Sequence, residues 1–144
     1  MRKKRNKVLL IEDDEQVSQM IVDFLTSQNY DVSVFDDGPD AITFVQQNGL
    51  PHIALIDLGL PTTHGFEVAS RLKMMADVPI IFVTANSDTD IIVKGLKQYA
   101  EDFIVKPFDP RELEARVQVV LSRMPTLDYA SEPIIKIDEY LQID

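Results

Sequence analysis

Three acids stand in a row at Glu12-Asp13-Asp14, directly after the apolar run Val8 to Ile11. Asp57 ends a second such run, Ile53 to Ile56, and Thr84 ends a third, Ile80 to Val83. Lys106 follows a fourth, Phe103 to Val105. Carboxylates brought together repel one another unless a cation or a proton relieves them. No histidine or cysteine lies near these acids in the sequence, so the donors are oxygen only. Such a set suits a hard ion, and Mg²⁺ is usually held by a few carboxylates, waters and phosphate oxygens. A lysine beside it is a point charge for a phosphoryl oxygen, a threonine hydroxyl is a donor to another, and one carboxylate can act as nucleophile. Phosphoryl transfer asks for this inventory. Each residue alone has a plainer reading: Asp14 as a helix N-cap, Lys106 as a solvated cation, Thr84 as a β-former. Their joint placement at strand ends carries the chemical reading.

Five apolar, β-branched runs recur along the chain, at Val8-Ile11, Val32-Phe35, Ile53-Ile56, Ile80-Val83 and Phe103-Val105. Each is followed by helical spacing, the pattern of parallel strands joined by helical crossovers. Val17, Met20, Ile21, Phe24 and Leu25 form the stripe of the first helix. Gly38-Pro39-Asp40 opens the second, and Gly49 stops it. Phe66, Ala69 and Leu72 mark the third; Ile92, Leu96 and Tyr99 mark the fourth, which begins near Ser87-Asp88. The fifth starts at Asp109-Pro110 with Glu112 placed for a capping box, and its stripe runs Leu113, Val117, Val120, Leu121, Met124. The expected fold is α/β: a (βα)5 doubly wound, parallel five-stranded sheet, and if its first and third strands are neighbours, as in the flavodoxin-like order 2-1-3-4-5, strand ends one, three, four and five converge. In such sheets ligands bind outside the carboxyl ends of the strands, which is where the acids, Thr84 and Lys106 fall.

The 144 residues carry a net charge of −10 and no cysteine, which excludes a disulfide framework and a thiolate metal site. Residues 2–7 hold five positive charges and residues 125–144 a net −4, leaving −11 on residues 8–124. A body that acidic repels nucleic-acid phosphates and suits a cation pocket or a basic partner. No apolar stretch is long enough to span a membrane, and the basic start lacks the apolar run of a signal peptide. A cytoplasmic chain is expected.

The segments Val8-Leu9-Leu10-Ile11-Glu12-Asp13-Asp14, Ala54 to Pro61, Pro79 to Ala85, and Asp102 to Phe108 together resemble the receiver domain of two-component response regulators. The resemblance implies three divisions: a basic extension over 1–6, a receiver over 7–124, and over 125–144 a linker with the start of a truncated output domain. It implies that Asp57 takes a phosphoryl group from a sensor histidine kinase. Glu12, Asp13 and Asp57 would hold Mg²⁺ with the backbone carbonyl of Gly59, Asp13 being the direct ligand ahead of Glu12. Thr84 and Lys106 would bind phosphoryl oxygens, and Lys106-Pro107 would be cis. Phe103 matches the switch aromatic that turns inward as Thr84 moves toward the phosphate. The domain would thus be a phosphoacceptor that assists its own phosphotransfer and dephosphorylation, not a turnover enzyme.

The tail resembles the opening of the winged-helix domain of OmpR-type transcription regulators. That implies a homodimer on phosphorylation through the fourth helix, fifth strand and fifth helix, and DNA contact only through a C-terminal domain not contained here. Asp102 and Arg116 match one charged pair of that face, and Glu112 an acidic partner. Ile92 takes a place where the family usually has a basic residue, so an exposed apolar contact of Ile92 with Leu96 is expected instead. Tyr99 stands where the family usually has glycine; a positive φ there would cost a tyrosine about 1 kcal/mol. The alternative reading is a stand-alone or degenerate receiver that binds partners without phosphorylation. A phosphatase would want a second acid where Gly59 stands, and a nucleotide site a glycine-rich loop that the five glycines do not form.

Overall fold

A computed structural model describes residues 5–61 and 63–124, so the readings for 1–4 and for the tail 125–144 lie outside the described residues. Five strands and five helices alternate: β1 (Lys7–Ile11), α1 (Glu15–Ser27), β2 (Asp31–Phe35), α2 (Gly38–Asn48), β3 (Ile53–Asp57), α3 (Gly65–Met75), β4 (Ile80–Thr84), α4 (Thr89–Gln98), β5 (Asp102–Val105) and α5 (Pro110–Arg123). The strands are all parallel, in the order β2-β1-β3-β4-β5.

Because side chains alternate along a strand, the sheet feeds two cores. Leu9, Ile11, Ala54, Ile56 and Phe82 face one, with Ala41, Ile42 and Val45 of α2 and Val68, Ala69 and Leu72 of α3. Val8, Leu10, Ile53, Leu55, Ile81 and Val83 face the other, with Ile21 and Leu25 of α1 and Leu113, Val117 and Val120 of α5. Strands β3 and β4 are buried along their whole length, as covered parallel strands must be. The edge strand β2 has exposed and half-buried residues only.

Aspartates cap four of the helices. Asp14 accepts from the N–H groups of Gln16 and Val17, Asp37 from Asp40, Asp88 from Asp90 and Ile91, and Asp109 from Arg111. The expected capping box of α5 is not closed as foreseen: Glu112 turns to Arg116 at 3.1 Å instead. Gly49 ends α2 at φ 99°, a conformation that favours glycine. Tyr99 ends α4 at φ −132°, so the strain considered for it does not arise. Its ring instead stacks on Phe66 at 5.2 Å.

The reading of α4 needs a second correction. Its inward side is Ile91, Ile92, Gly95 and Tyr99, whereas Leu96 is 43% exposed. Ile92 is half-buried against the core and does not stand free beside Leu96. The exposed apolar residues of this region are Val93 and Leu96 on α4, Val105 on β5 and Val119 on α5.

Candidate functional site

Register aligns the strand ends. Ile11 pairs with Ile56, Asp57 with Val83, and Thr84 with Val105. The next residues along, Glu12 after β1 and Lys106 after β5, therefore reach the same edge as Asp57 and Thr84. Carboxylate oxygens of Glu12, Asp13 and Asp57 lie within 4.8 Å of one another. Glu12 and Asp57 are buried, 2% and 6% exposed, and Asp13 faces solvent.

Lys106 stands between the two buried acids. Its Nζ is 2.7 Å from Glu12 Oε1 and 3.3 Å from Asp57 Oδ2. Glu12 Oε2 accepts from the N–H of Asp14 at 3.1 Å. Glu12 Oε1 is fully enclosed, and its contact with Lys106 is close as an ion pair yet off the line a hydrogen bond needs. Burial pushes the Glu12 carboxyl up to about 7; the Lys106 ammonium and the Asp14 N–H pull the other way, and the Asp57 charge adds to the rise. Burial disfavours the Lys106 ammonium, but the carboxylates of Glu12 and Asp57 outweigh it and hold its pKa above the usual lysine value.

Asp57 Oδ1 accepts from the N–H of Gly59 at 3.0 Å, which fixes the carboxylate and the turn after β3 together. Thr84 is 2% exposed, and its Oγ1 accepts from the N–H of Asn86 at 3.0 Å. Lys106–Pro107 is cis. Phe103 is 8% exposed, its ring 5.1 Å from that of Phe82. On the flank, Arg116 binds Asp102 at 3.0 Å and Glu112 at 3.1 Å, so the charged residues read for a dimer face pair within one chain.

The oxygen set fits a small hard cation. Three carboxylates converge, one oxygen among them is buried without an aligned donor, and the positive charge there comes from one lysine shared by two acids. A second cluster, Asp36, Asp37 and Asp40, is exposed or half-exposed, and the Asp37 carboxylate is engaged in capping α2, accepting from the backbone N–H of Asp40. Of the residues read at the strand ends, Glu12, Asp13, Asp57 and Lys106 meet in one cluster, Thr84 ends the strand beside Asp57, and Asp14 acts as a cap.

One residue behind the site escaped the sequence reading. Gly65 opens α3, and a Cβ there would stand 2.8 Å from the carbonyl oxygen of Asp57 and 2.9 Å from Cα of Leu58.

Comparison with known proteins bears on the family and the fold. The model of the response regulator receiver domain matches residues 8–118. The DNA-binding response regulator MtrA of Mycobacterium tuberculosis is 39% identical over 119 residues, 83% of this chain and 52% of that protein. The response regulator ArlR of Staphylococcus aureus is 36% identical over 136 residues, 92% of this chain and 60% of that one. The chain thus spans about half the length of the curated relatives it matches. Among solved structures, the receiver domain of Francisella response regulator 1452 superposes with a TM-score of 0.76 at 29% identity, over 83% of this chain and 98% of that one. Chemotaxis protein CheY4 of Vibrio cholerae gives a TM-score of 0.76 at 27% identity, over 81% and 99%.

Proposed function

Because this chain belongs to the family of response regulator receiver domains, we propose that Asp57 is its phosphoacceptor and that phosphorylation there is the signal it relays. The observation that carries this reading is the shared ion pair: one lysine 2.7 Å from Glu12 and 3.3 Å from Asp57, with an oxygen of Asp13 in the same small cluster. The site is rich in negative charge, and a phosphoryl group adds more. Mg²⁺, when bound, supplies the charge that lets a phosphoryl group approach a carboxylate. Asp13 and Asp57 would hold it directly with the carbonyl of Gly59, and Glu12 from behind.

The chain's own residues do the rest. The Gly59 N–H engages Asp57 Oδ1 and leaves Oδ2, on the Lys106 side, as the attacking oxygen. That oxygen forms a bond to phosphorus as the bond to the imidazole nitrogen of the donor phosphohistidine breaks, and the freed imidazole takes a proton. Lys106 exchanges its contact with Asp57 for a phosphoryl oxygen. Thr84 turns its hydroxyl to another phosphoryl oxygen, giving up the Asn86 N–H it now accepts. The chain is a phosphoacceptor that assists its own phosphorylation and, through water attack on the acyl phosphate, its own reset.

The donor is a sensor histidine kinase, met in the cytoplasm where this chain resides. The output is rearrangement of the face made by α4, β5 and α5, with Phe103 as the switch aromatic, and pairing of two copies there. Val93, Leu96, Val105 and Val119 give that contact its apolar part, and Asp102, Glu112 and Arg116 its charged rim. By likeness to the relative named a DNA-binding response regulator, output on DNA belongs to a further domain, since residues 8–124 carry −11. Incubation with acetyl phosphate and Mg²⁺, read by intact mass, should add one phosphoryl group to the chain and none to Asp57→Asn. No gain on the unaltered chain would leave a phosphorylation-independent interaction module.

A further inference from the structure

The centre of the inward side of α4 is a glycine, although glycine inside a helix costs about 1 kcal/mol against alanine. The room its missing side chain leaves is filled. A Cβ at Gly95 would stand 2.6 Å from Cε2 and 2.8 Å from Cζ of Phe103, and 3.1 Å from Cε1 of Phe66. The Phe103 ring therefore rests in a notch of the helix backbone. Three more rings continue from it: Phe82 at 5.1 Å from Phe103, Phe66 at 5.2 Å from Phe82, and Tyr99 at 5.2 Å from Phe66.

We propose that Gly95 is a positioning residue for the switch, acting through Phe103: it forms the seat of the inward ring and so sets how much of the population holds the α4–β5 face in that arrangement. The proposal rests on the reading of Phe103 as the switch aromatic. A methyl group at 95 meets the outer edge of a rigid ring whose other neighbours are Phe82 and, across the notch, Phe66. At 2.6 and 2.8 Å a shift of a few tenths of an ångström is not enough, and the ring relieves the contact by turning about χ1 toward solvent. Gly95 is not among the charged residues around Asp57, so its substitution leaves the phosphoryl chemistry intact and alters only what the chemistry moves.

The test uses the full 144-residue chain as unaltered protein, G95A, F103A and the double variant. Nuclear Overhauser contacts between the Phe103 ring and residue 95 should be present in the unaltered chain and lost in G95A. Addition of Mg²⁺ and beryllofluoride should shift amide resonances in the unaltered chain around Asp57 and through α4 and β5. In G95A the α4 and β5 shifts should be lost while those beside Asp57 remain. In the F103A background the methyl keeps only its 3.1 Å approach to Phe66, a neighbour that need give by no more than a few tenths of an ångström, so G95A should there lower Tm less than it does in the unaltered chain. A Phe103 ring still on residue 95 in G95A, with α4 displaced, would overturn the proposal, as would unchanged propagation of the shifts. A fall in Tm on adding G95A to F103A as large as the fall on adding it to the unaltered chain would do the same. Absence of any beryllofluoride response in the unaltered chain would count against Asp57 as phosphoacceptor, and the ring contacts and Tm would still decide the seat.

Discussion

Glu12 and Asp57 are two buried acids that share one ammonium, and at residue scale this decides how the site responds to pH. Glu12 titrates near 7 in the folded chain because burial opposes its charge, against 4.5 when unfolded. A carboxyl whose folded value lies above its unfolded one favours the folded state in acid. Its stabilising contribution is full below pH 4.5 and is lost as pH rises through 7. Urea unfolding in chelator should therefore show the unaltered chain losing stability relative to Glu12→Gln over that interval, and Mg²⁺ should reverse the loss at the alkaline end. Parallel pH profiles for the two proteins would refute this account of the site. The acids, Thr84 and Lys106 were legible in the sequence because each directly follows or ends a short apolar run. Gly65 was not, because a glycine needed for close approach to the Asp57 carbonyl carries no hydropathy or charge to betray it.

At the scale of elements, α4 shows where periodicity fails. Ile92, Leu96 and Tyr99 share a helical stripe, but the true inward line passes through Ile91, Ile92, Gly95 and Tyr99. The pattern was rotated because its central buried position is a glycine, which hydropathy does not count. α4 has ten residues, too few to persist alone, so its cap matters. Asp88 accepts from two N–H groups of the first turn, and Asp88→Ala should cost about 1 kcal/mol in urea unfolding. The loss should fall on amide exchange in α4 more than in α1. By contrast α1, α2 and α5 were readable from aspartate caps, Pro39 and Pro110, and Gly49, each of which does what its local chemistry demands. The Tyr99 expectation failed for a different reason: the helix ends with φ negative, and the aromatic ring is used for packing on Phe66.

Over the whole molecule, the sheet is the device that carries five distant residues to one edge. Parallel register does this only if β1 and β3 are neighbours, and alternating apolar runs alone do not fix that order; the resemblance supplied it, and the pairing of Ile11 with Ile56 bears it out. Leu55 lies at the centre of this arrangement, 0% exposed, on the side of α1 and α5. Leu55→Ala should cost about 2–5 kcal/mol through lost burial and the cavity left behind, measured by urea or thermal unfolding. Among the described residues no helix is long and apolar enough to cross a membrane.

The convergence of Glu12, Asp13, Asp57, Thr84 and Lys106 on one phosphoryl group is tested most directly by a crystal structure grown with Mg²⁺ and beryllofluoride. The account predicts beryllium bonded to a carboxylate oxygen of Asp57, Mg²⁺ on Asp13, Asp57 and the Gly59 carbonyl, and fluorines on Lys106 Nζ and Thr84 Oγ1. Beryllofluoride elsewhere, or Mg²⁺ seated at Asp36, Asp37 and Asp40 with the Asp57 site left ion-free, would contradict it.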